Sequence, residues 1–447
     1  MRKLTSLILS AVLFISILSV FPASAAENFF KKDGFVYELE GEEARIVFYC
    51  GDSQKVEYPS EIDGHKVTKI GISEDEAAEE VILYEDQEKD YFTNNYSYTP
   101  NKEIKEVTIP DTVTYMSAYC FRNCKKLEKV QLGNSLTEIA NEAFYHCSSL
   151  KSIEIPSGVK NIKNDAFADC VKLSSVTLSD TVENIGNGAF GNTAVKSINI
   201  TKNVKSIGLW ETDENFYDGH DTWKYVHAFE KAPVEKITVD SNNKTYSSKN
   251  GVLYNKKQTK LCWYPCEKSA KKFTVPKTVK SIDLFACVGS SKLTKVTFKT
   301  NKIKTINGCF SSCTALKTIK LPESVKRISG YAFYDCKKLA SFTVSKNVAE
   351  IGINAFDGCS SLSKVKFSSK KSLKIAESAF SRCKKLKKVT VPKNVKKIEK
   401  RAFGYTYTLN KSDNPVYSKC KNFTIKGVKN SAAHKYAKKN KFKFIAI

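Results

Sequence analysis

The stretch Ala143-Phe144-Tyr145-His146-Cys147-Ser148-Ser149-Leu150-Lys151-Ser152-Ile153-Glu154-Ile155-Pro156-Ser157-Gly158-Val159-Lys160-Asn161-Ile162 decides the architecture. Its skeleton is Ala-Phe-x-x-Cys-x-x-Leu-x-x-Val-x-Ile-Pro-x-x-Val-x-x-Ile, with Ile153 in the first Val position. The same skeleton returns at Ala332, Phe333, Cys336, Leu339, Phe342, Val344, Val348 and Ile351. Phe121, Phe144, Phe167 and Phe190 lie 23 residues apart; Phe310, Phe333 and Phe356 keep the step, and Phe380 and Phe403 follow after 24 and 23. Apolar positions held in phase over so many copies are the signature of stacked repeats.

The spacing inside one copy predicts its local structure. Leu-x-x-Val-x-Ile holds an apolar pair two residues apart, which predicts a short strand with that pair facing inward. The Pro, or Ser345-Lys346-Asn347 in a later copy, turns the corner. Val-x-x-Ile makes a second short extended edge, and Ala-Phe-x-x-Cys a tight helical turn. A single copy cannot bury its own apolar face, whereas copies stacked in sequence build a continuous core. The expected fold is a β-rich repeat solenoid with short strands and tight helical turns, about 23 residues per coil and roughly eleven coils.

Composition bounds the class. The 447 residues are 41% hydrophobic and 11% aromatic, enough for a folded core and against wholesale disorder. The net charge is +25, but only six basic residues are Arg (Arg2, Arg45, Arg122, Arg327, Arg382 and Arg401) among 72 Lys and Arg. Base readout favours the planar Arg fork, and Lys is a hydrated point charge, so no nucleic-acid partner is expected. Charge is unevenly placed: residues 26–103 carry −12, residues 104–447 +35, and residues 384–447 alone +17. On an exported chain such a basic end points to anionic wall polymers, anionic glycans or acidic surfaces.

Export is read from the first residues. Arg2 and Lys3 precede an apolar run from Leu7 to Val20, closed by Ala23-Ser24-Ala25. This predicts a signal peptide over 1–25, cleaved after Ala25, and a secreted or cell-surface protein. No second apolar run of about 20 residues follows, so no membrane span is expected in the mature chain.

Seven of the fourteen cysteines occupy one repeat position: Cys124, Cys147, Cys170, Cys313, Cys336, Cys359 and Cys383. Equal positions of a solenoid stack, so these side chains are expected to form a ladder of buried free thiols, with parallel Cβ directions that suit disulfides poorly. Cys-Trp-Tyr-Pro-Cys at Cys262–Cys266 leaves a local disulfide or metal pair open. The five histidines form no ligand-type pair. Neither a nucleophile elbow nor a phosphate loop is present, so no enzymatic activity, cofactor or metal site is expected.

Several segments together resemble the BspA-like leucine-rich repeat family of bacterial surface proteins. They are the repeats themselves, the opening Tyr58-Pro59-Ser60-Glu61-Ile62-Asp63-Gly64, the segment Asn250-Gly251-Val252-Leu253-Tyr254-Asn255 with Thr259–Pro265, and the ending from Ser431 to Phe444. The resemblance covers nearly the whole mature chain; Thr193 in place of a ladder cysteine and two longer inserts depart from it. It implies an open solenoid used for binding and adhesion with no shared chemistry, and transfers no ligand.

The expected organisation is a β cap over 26–58 and repeats over 59–207 with an acidic insert at 72–100. Irregular coils with an aromatic and acidic insert and a β-hairpin follow over 208–282, then repeats over 283–403 and a basic cap over 404–447. Outward positions of the strands form the candidate binding face: Lys129, Gln131, Ser152, Glu154, Ser175, Thr177, Ser197, Asn199, Lys236, Thr238, Lys295, Thr297, Thr318, Lys320, Ser341, Thr343, Lys364, Lys366, Lys388 and Thr390. This Thr, Ser and Lys ladder lacks aromatics, which suits broad polar contact with a protein or an anionic cell-surface polymer and suits sugar stacking poorly. Trp210, Tyr217, Trp223 and Tyr225 of the second insert are the candidate anchors, since inserts in repeats map to loops on one face.

Overall fold

The computed structural model describes residues 29–72, 103–208, 227–410 and 414–447. The expected signal peptide, the acidic insert from 73 onward and the aromatic insert from 209 to 226 lie outside the described residues. The chain divides into two compact units, Met1–Ala232 and Pro233–Ile447.

The first unit opens with an antiparallel meander of β1 (Phe29–Lys32), β2 (Phe35–Glu40) and β3 (Glu43–Tyr49). β3 then pairs in parallel with His65–Ile70, which pairs in parallel with Tyr115–Met116. From there each coil contributes the two strands that its sequence predicts. The Val-x-Ile strands form one parallel ladder, in which Lys55–Glu57, Glu106–Thr108 and Lys129–Gln131 run side by side. The Val-x-x-Ile segments form a second ladder through Glu138–Ile139, Asn161–Ile162, Asn184–Ile185 and Ser206–Ile207. A strand such as Ser152–Glu154 buries its middle residue, Ile153, and turns its neighbours to solvent.

The third side of each coil differs from the expected helical turn. Ala-Phe-x-x-Cys forms consecutive β-turns, because a residue in the left-handed region recurs at every fourth position: Glu142 at φ +51° and His146 at +60° in one coil, Asp165 at +53° and Asp169 at +60° in the next. These residues break any helix and swing alternate amides out of the coil. Tyr145 and Cys147 donate within the coil to the Glu142 and Phe144 carbonyls, at 3.1 and 3.2 Å. Phe144 and His146 donate instead to Ala166 and Ala168 of the next coil, both at 2.8 Å. The backbone of the turn side is thereby satisfied both within and between coils, as buried backbone must be.

Inside, the phenylalanines stack. Phe121, Phe144, Phe167, Phe190 and Phe229 have successive ring centroids 5.2–5.4 Å apart, with planes within 14° of parallel. Phe229 resumes the row after the insert. At the open end of the row the buried Tyr58 meets Phe121 edge-on at 6.1 Å.

The second unit repeats the plan. Its turn-side row runs through Phe310, Phe333, Phe356, Phe380 and Phe403, with centroids 4.9–5.7 Å apart. The 23-residue step also extends backward into the segment expected to be irregular. Cys287 and Tyr264 sit on the same row, since the Cys287 amide donates to Cys309 and the Tyr264 amide to Ala286. The hairpin Val252–Asn255/Lys260–Trp263 is joined to this coil through the parallel pairing of Lys260–Trp263 with Ser281–Ile282. At the far end, α1 (Ala432–Asn440) buries Ala433, Tyr436 and Ala437, and Lys438 and Lys439 occupy its last turn, favourable against the helix dipole. The Tyr436 hydroxyl donates to the Phe403 carbonyl at 2.8 Å and accepts from the Phe403 amide at 3.0 Å, closing the turn ladder where no further coil supplies partners.

Face strands number six in the first unit and nine in the second among the described residues, more than the expected eleven or so. The additional rungs, among them Lys55–Glu57 and Thr424–Gly427, lack the Phe and Cys landmarks by which copies are recognised in the sequence, whereas the helix Ala432–Asn440 and the strand Lys443–Ala446 form the closing helix and strand that the resemblance implies for the ending.

Candidate binding faces

All seven ladder cysteines are buried and all fourteen cysteines are free thiols. The Sγ of Cys147 donates to the Phe121 carbonyl at 3.1 Å, Cys170 to Phe144, and Cys336, Cys359 and Cys383 repeat the contact with the coil before them at 3.1–3.2 Å. Cysteine fits this position because it is small, apolar and able to donate weakly to a carbonyl. The exception, Thr193, satisfies the carbonyl of its own coil, Phe190, at 2.8 Å, and Ser290 does the same for Cys287. Cys262 is buried on a hairpin strand and Cys266 is partly exposed, both unbridged. Burial pushes the Cys313 and Cys262 thiols up to about 12, which disfavours the reactive thiolate.

The strand faces carry the candidate residues. Of the candidate face residues, eighteen are exposed, while Thr238 and Thr297 are partly buried. Register places them in rows: Ser152 opposite Ser175 and Glu154 opposite Thr177, then in the second unit Ser341 opposite Lys364 and Thr343 opposite Lys366. The Thr297 hydroxyl meets that of Thr274 at 2.8 Å across the rung. Lys272 and Thr274 belong to this face and were not among the expected residues, as were neither Glu106, Thr108, Thr424, Lys426 nor Lys443. The period-2 pair Phe273 and Val275, 23 residues before Val296 and Phe298, was the available signal for Lys272 and Thr274. The candidate anchors Trp210, Tyr217, Trp223 and Tyr225 all lie outside the described residues.

The two faces differ in charge. In the first unit Lys55 is paired with Glu57 at 2.9 Å and stands opposite Glu106, which is followed by Lys129 in the same row. In the second unit Lys272 stands opposite Lys295, and Lys388, Thr424 and Lys443 share a row. Residues 233–447 hold 48 Lys and Arg against 11 Asp and Glu. A cavity of about 510 Å³ opens beside Lys236 and Thr238, lined also by Asn250, Gly251 and Lys268.

Away from these faces, one buried charge pair ties elements of the second unit together. The Arg382 guanidinium grips both oxygens of the buried Asp357 at 2.9 Å and lies over the rings of Tyr334 and Tyr407, 5.1 and 4.8 Å from their centroids. It thereby fastens the hairpin Tyr405–Leu409/Pro415–Lys419 to the turn side of the coils. Among the described residues, no group of three or more His, Cys, Asp or Glu is placed to hold a metal ion, and no helix is long and apolar enough to cross a membrane.

The architecture has solved counterparts. The chain is similar to the crystal structure of the pneumococcal vaccine antigen PcpA, at 19% identity and a TM-score of 0.69, over 94% of this chain and 98% of that one. It is also similar to a leucine-rich cell surface protein from Faecalibacterium prausnitzii, at 24% identity and a TM-score of 0.52, over 77% of this chain and 96% of that one. At such identities the likeness is one of fold. No curated protein matches the chain. The family model of the BspA type leucine rich repeat region matches residues 93–214, 256–372 and 306–426, with six copies. Together with the coil geometry, this match places the chain in the BspA-type leucine-rich repeat family.

Proposed function

We propose that the chain is an exported, non-enzymatic binding and adhesion protein that meets a protein or cell-surface partner along its face strands. The observation that carries this reading is the division of labour within each coil. Backbone, phenylalanines and cysteines are consumed by stacking, while in each unit a polar surface is left outward on strands whose own hydrogen bonds are already made. Such a surface is rigid and binds without folding costs, through many contacts each worth at most about 1 kcal/mol. Trp210, Tyr217, Trp223 and Tyr225 are its proposed specific anchors, aromatic side chains being those that dominate interfaces. Residues 26–58 and 404–447 cap the array on this reading. That the F. prausnitzii relative is described as a cell surface protein supports a surface location, as does the expected signal peptide.

The test is binding of residues 26–447 to host matrix proteins and to purified cell envelopes at about 0.15 and 0.5 M salt, where screening shortens from about 8 to under 5 Å. Binding to a matrix protein that persists at high salt and falls with W210A/W223A supports adhesion. The net +17 of residues 384–447 favours a second reading, a wall-associated scaffold held electrostatically without a host ligand. Attachment to envelopes alone, lost at high salt and indifferent to both tryptophans, selects that scaffold and overturns adhesion.

A further inference from the structure

Six lysines of the second unit's strand face have no ion-pair partner among the described residues. Among the described residues, eight of the unit's ten carboxylates are engaged by Lys or Arg away from this face. Glu267 meets Lys292, Asp283 meets Lys260, Glu323 meets Lys346, Glu350 meets Arg327, and Glu399 meets Lys374 and Lys397. Arg382 takes Asp335 and Asp357, and Arg401 takes Glu377. The other two, Glu235 and Asp240, flank the first rung. From Lys272 onward the outward positions are Lys, Thr or Ser until the exposed Ile445 of the last strand, and none is acidic. Neither Lys272, Lys295, Lys364, Lys366, Lys388 nor Lys443 forms an ion pair among the described residues.

Folding does not account for this array. Lysine is depleted in strands, and like charges directly opposite one another, as Lys272 and Lys295 are, destabilise a sheet. The same repeat position in the first unit is Lys55, Glu106 and Lys129 and then Ser152, Ser175 and Ser197, so the coil itself has no need of lysine there. Resting on the reading of the strand face as a binding surface, we propose that this face docks a linear phosphodiester polymer of a cell envelope. The polymer lies across the strands, its phosphates set against lysines on rungs about 4.8 Å apart. A phosphodiester fits the residue type: its single charge per repeat can be met by one compact Lys ammonium acting as a point charge, and the planar fork of Arg, which serves bidentate recognition, is absent from these rows. No aromatic side chain projects from the rows, so neither sugar rings nor nucleobases find a stacking platform.

The experiment measures binding of residues 26–447 to poly(glycerol phosphate) between 0.05 and 0.5 M salt. With about six phosphate contacts, log K falls against log salt with a slope near −4, a loss of roughly 100-fold between 0.15 and 0.5 M. K272T/K295T/K364T/K366T installs the residue other rungs carry at these positions. It should flatten the slope by about 3 and weaken binding at 0.15 M by roughly 100-fold. K277T/K302T/K326T/K393T removes the same charge from the corners between the two strands of a coil and should lower affinity less than about 5-fold, through long-range attraction alone. Equal losses in both variants would show that net charge alone acts, and overturn the proposal. Binding of heparin, single-stranded DNA or polyglutamate as tightly as poly(glycerol phosphate) overturns it too. If the face variant attaches to whole envelopes as well as the parent, this proposal fails while the binding function stands. If no variant and no parent attaches to any envelope or matrix preparation, the binding function itself fails.

Discussion

Replacing Phe356 by Ala tests whether the aromatic row holds the coils together. Phe356 is fully buried and touches three rings: Phe333 at 5.0 Å and Phe380 at 4.9 Å, stacked, and Phe342 at 4.6 Å, tilted by 59°. Truncating a buried phenylalanine costs about 3–5 kcal/mol, through lost transfer energy and the cavity left behind. Coils above and below are tied to this one by amides of the turn ladder and cannot collapse into the void, and each ring pair adds about 0.5–1.5 kcal/mol beyond burial. The expected cost is therefore at the upper end, about 5 kcal/mol. In a stacked array each coil meets only its neighbours, so the damage should be local. Per-amide hydrogen exchange is the suitable assay, because repeat arrays need not unfold in one step. Protection should collapse at the amides of Phe333 and Phe356, which donate to Ala355 and Ala379, and at their neighbours. Ile353→Ala, three residues away at an exposed site, should change protection by less than about 0.5 kcal/mol. A cost below about 2 kcal/mol for Phe356→Ala, or a loss matched by Ile353→Ala, would refute the argument that the row carries the stacking.

Other consequences are equally direct. Tyr436→Phe deletes both hydrogen bonds to Phe403, leaving a buried amide without its partner; protection at Phe403 should fall by about 1–3 kcal/mol, and unchanged exchange there would remove the capping role of α1. A bulky thiol reagent at pH 8 should modify Cys50, Cys266 and Cys420, which are partly exposed, and spare the other eleven until the protein is denatured, when all fourteen react. Rapid native labelling of Cys336, or fewer than fourteen thiols after denaturation, contradicts the free-thiol ladder. Burial holds the His227 imidazole down at about 3, well below its unfolded value near 6.5, so the unfolded state binds the extra proton between those limits. Stability should therefore fall as pH drops below about 6.5, by roughly 2 kcal/mol at pH 5 from this group. Denaturant midpoints of the parent and His227→Gln across pH 7 to 5 check this, and an identical pH slope in both excludes His227 as the cause.

Most of the coil is legible without coordinates because its period is written in large apolar residues. Phe144, Cys147, Leu150, Ile153, Val159 and Ile162 together mark the three sides of one coil, and all six are buried. The turn side reads as helical in the sequence because Ala-Phe-x-x-Cys has helix-like spacing. The decisive feature is a backbone one, the left-handed φ at Glu142 and His146, which glutamate and histidine do not announce. Rungs without landmarks, such as Thr424–Gly427, were missed because parallel pairing is set by neighbours that the segment's own residues do not specify. The same holds for Tyr264 and Cys287, which occupy the phenylalanine row under other identities.

The sequence alone determined the repeat, its period, the inward and outward sides of each strand and the excess of lysine, because these depend only on which residues recur and how far apart. The tertiary structure decided which lysines stand together. The outward Lys272 and Lys295 are 23 residues apart in the chain and become direct neighbours only through strand pairing. Whether a charge is free also depends on what is packed beside it. Lys346 and Lys364 are alike in sequence, yet Glu323 in the neighbouring coil neutralises the first, while the second stands opposite Ser341 on an open face.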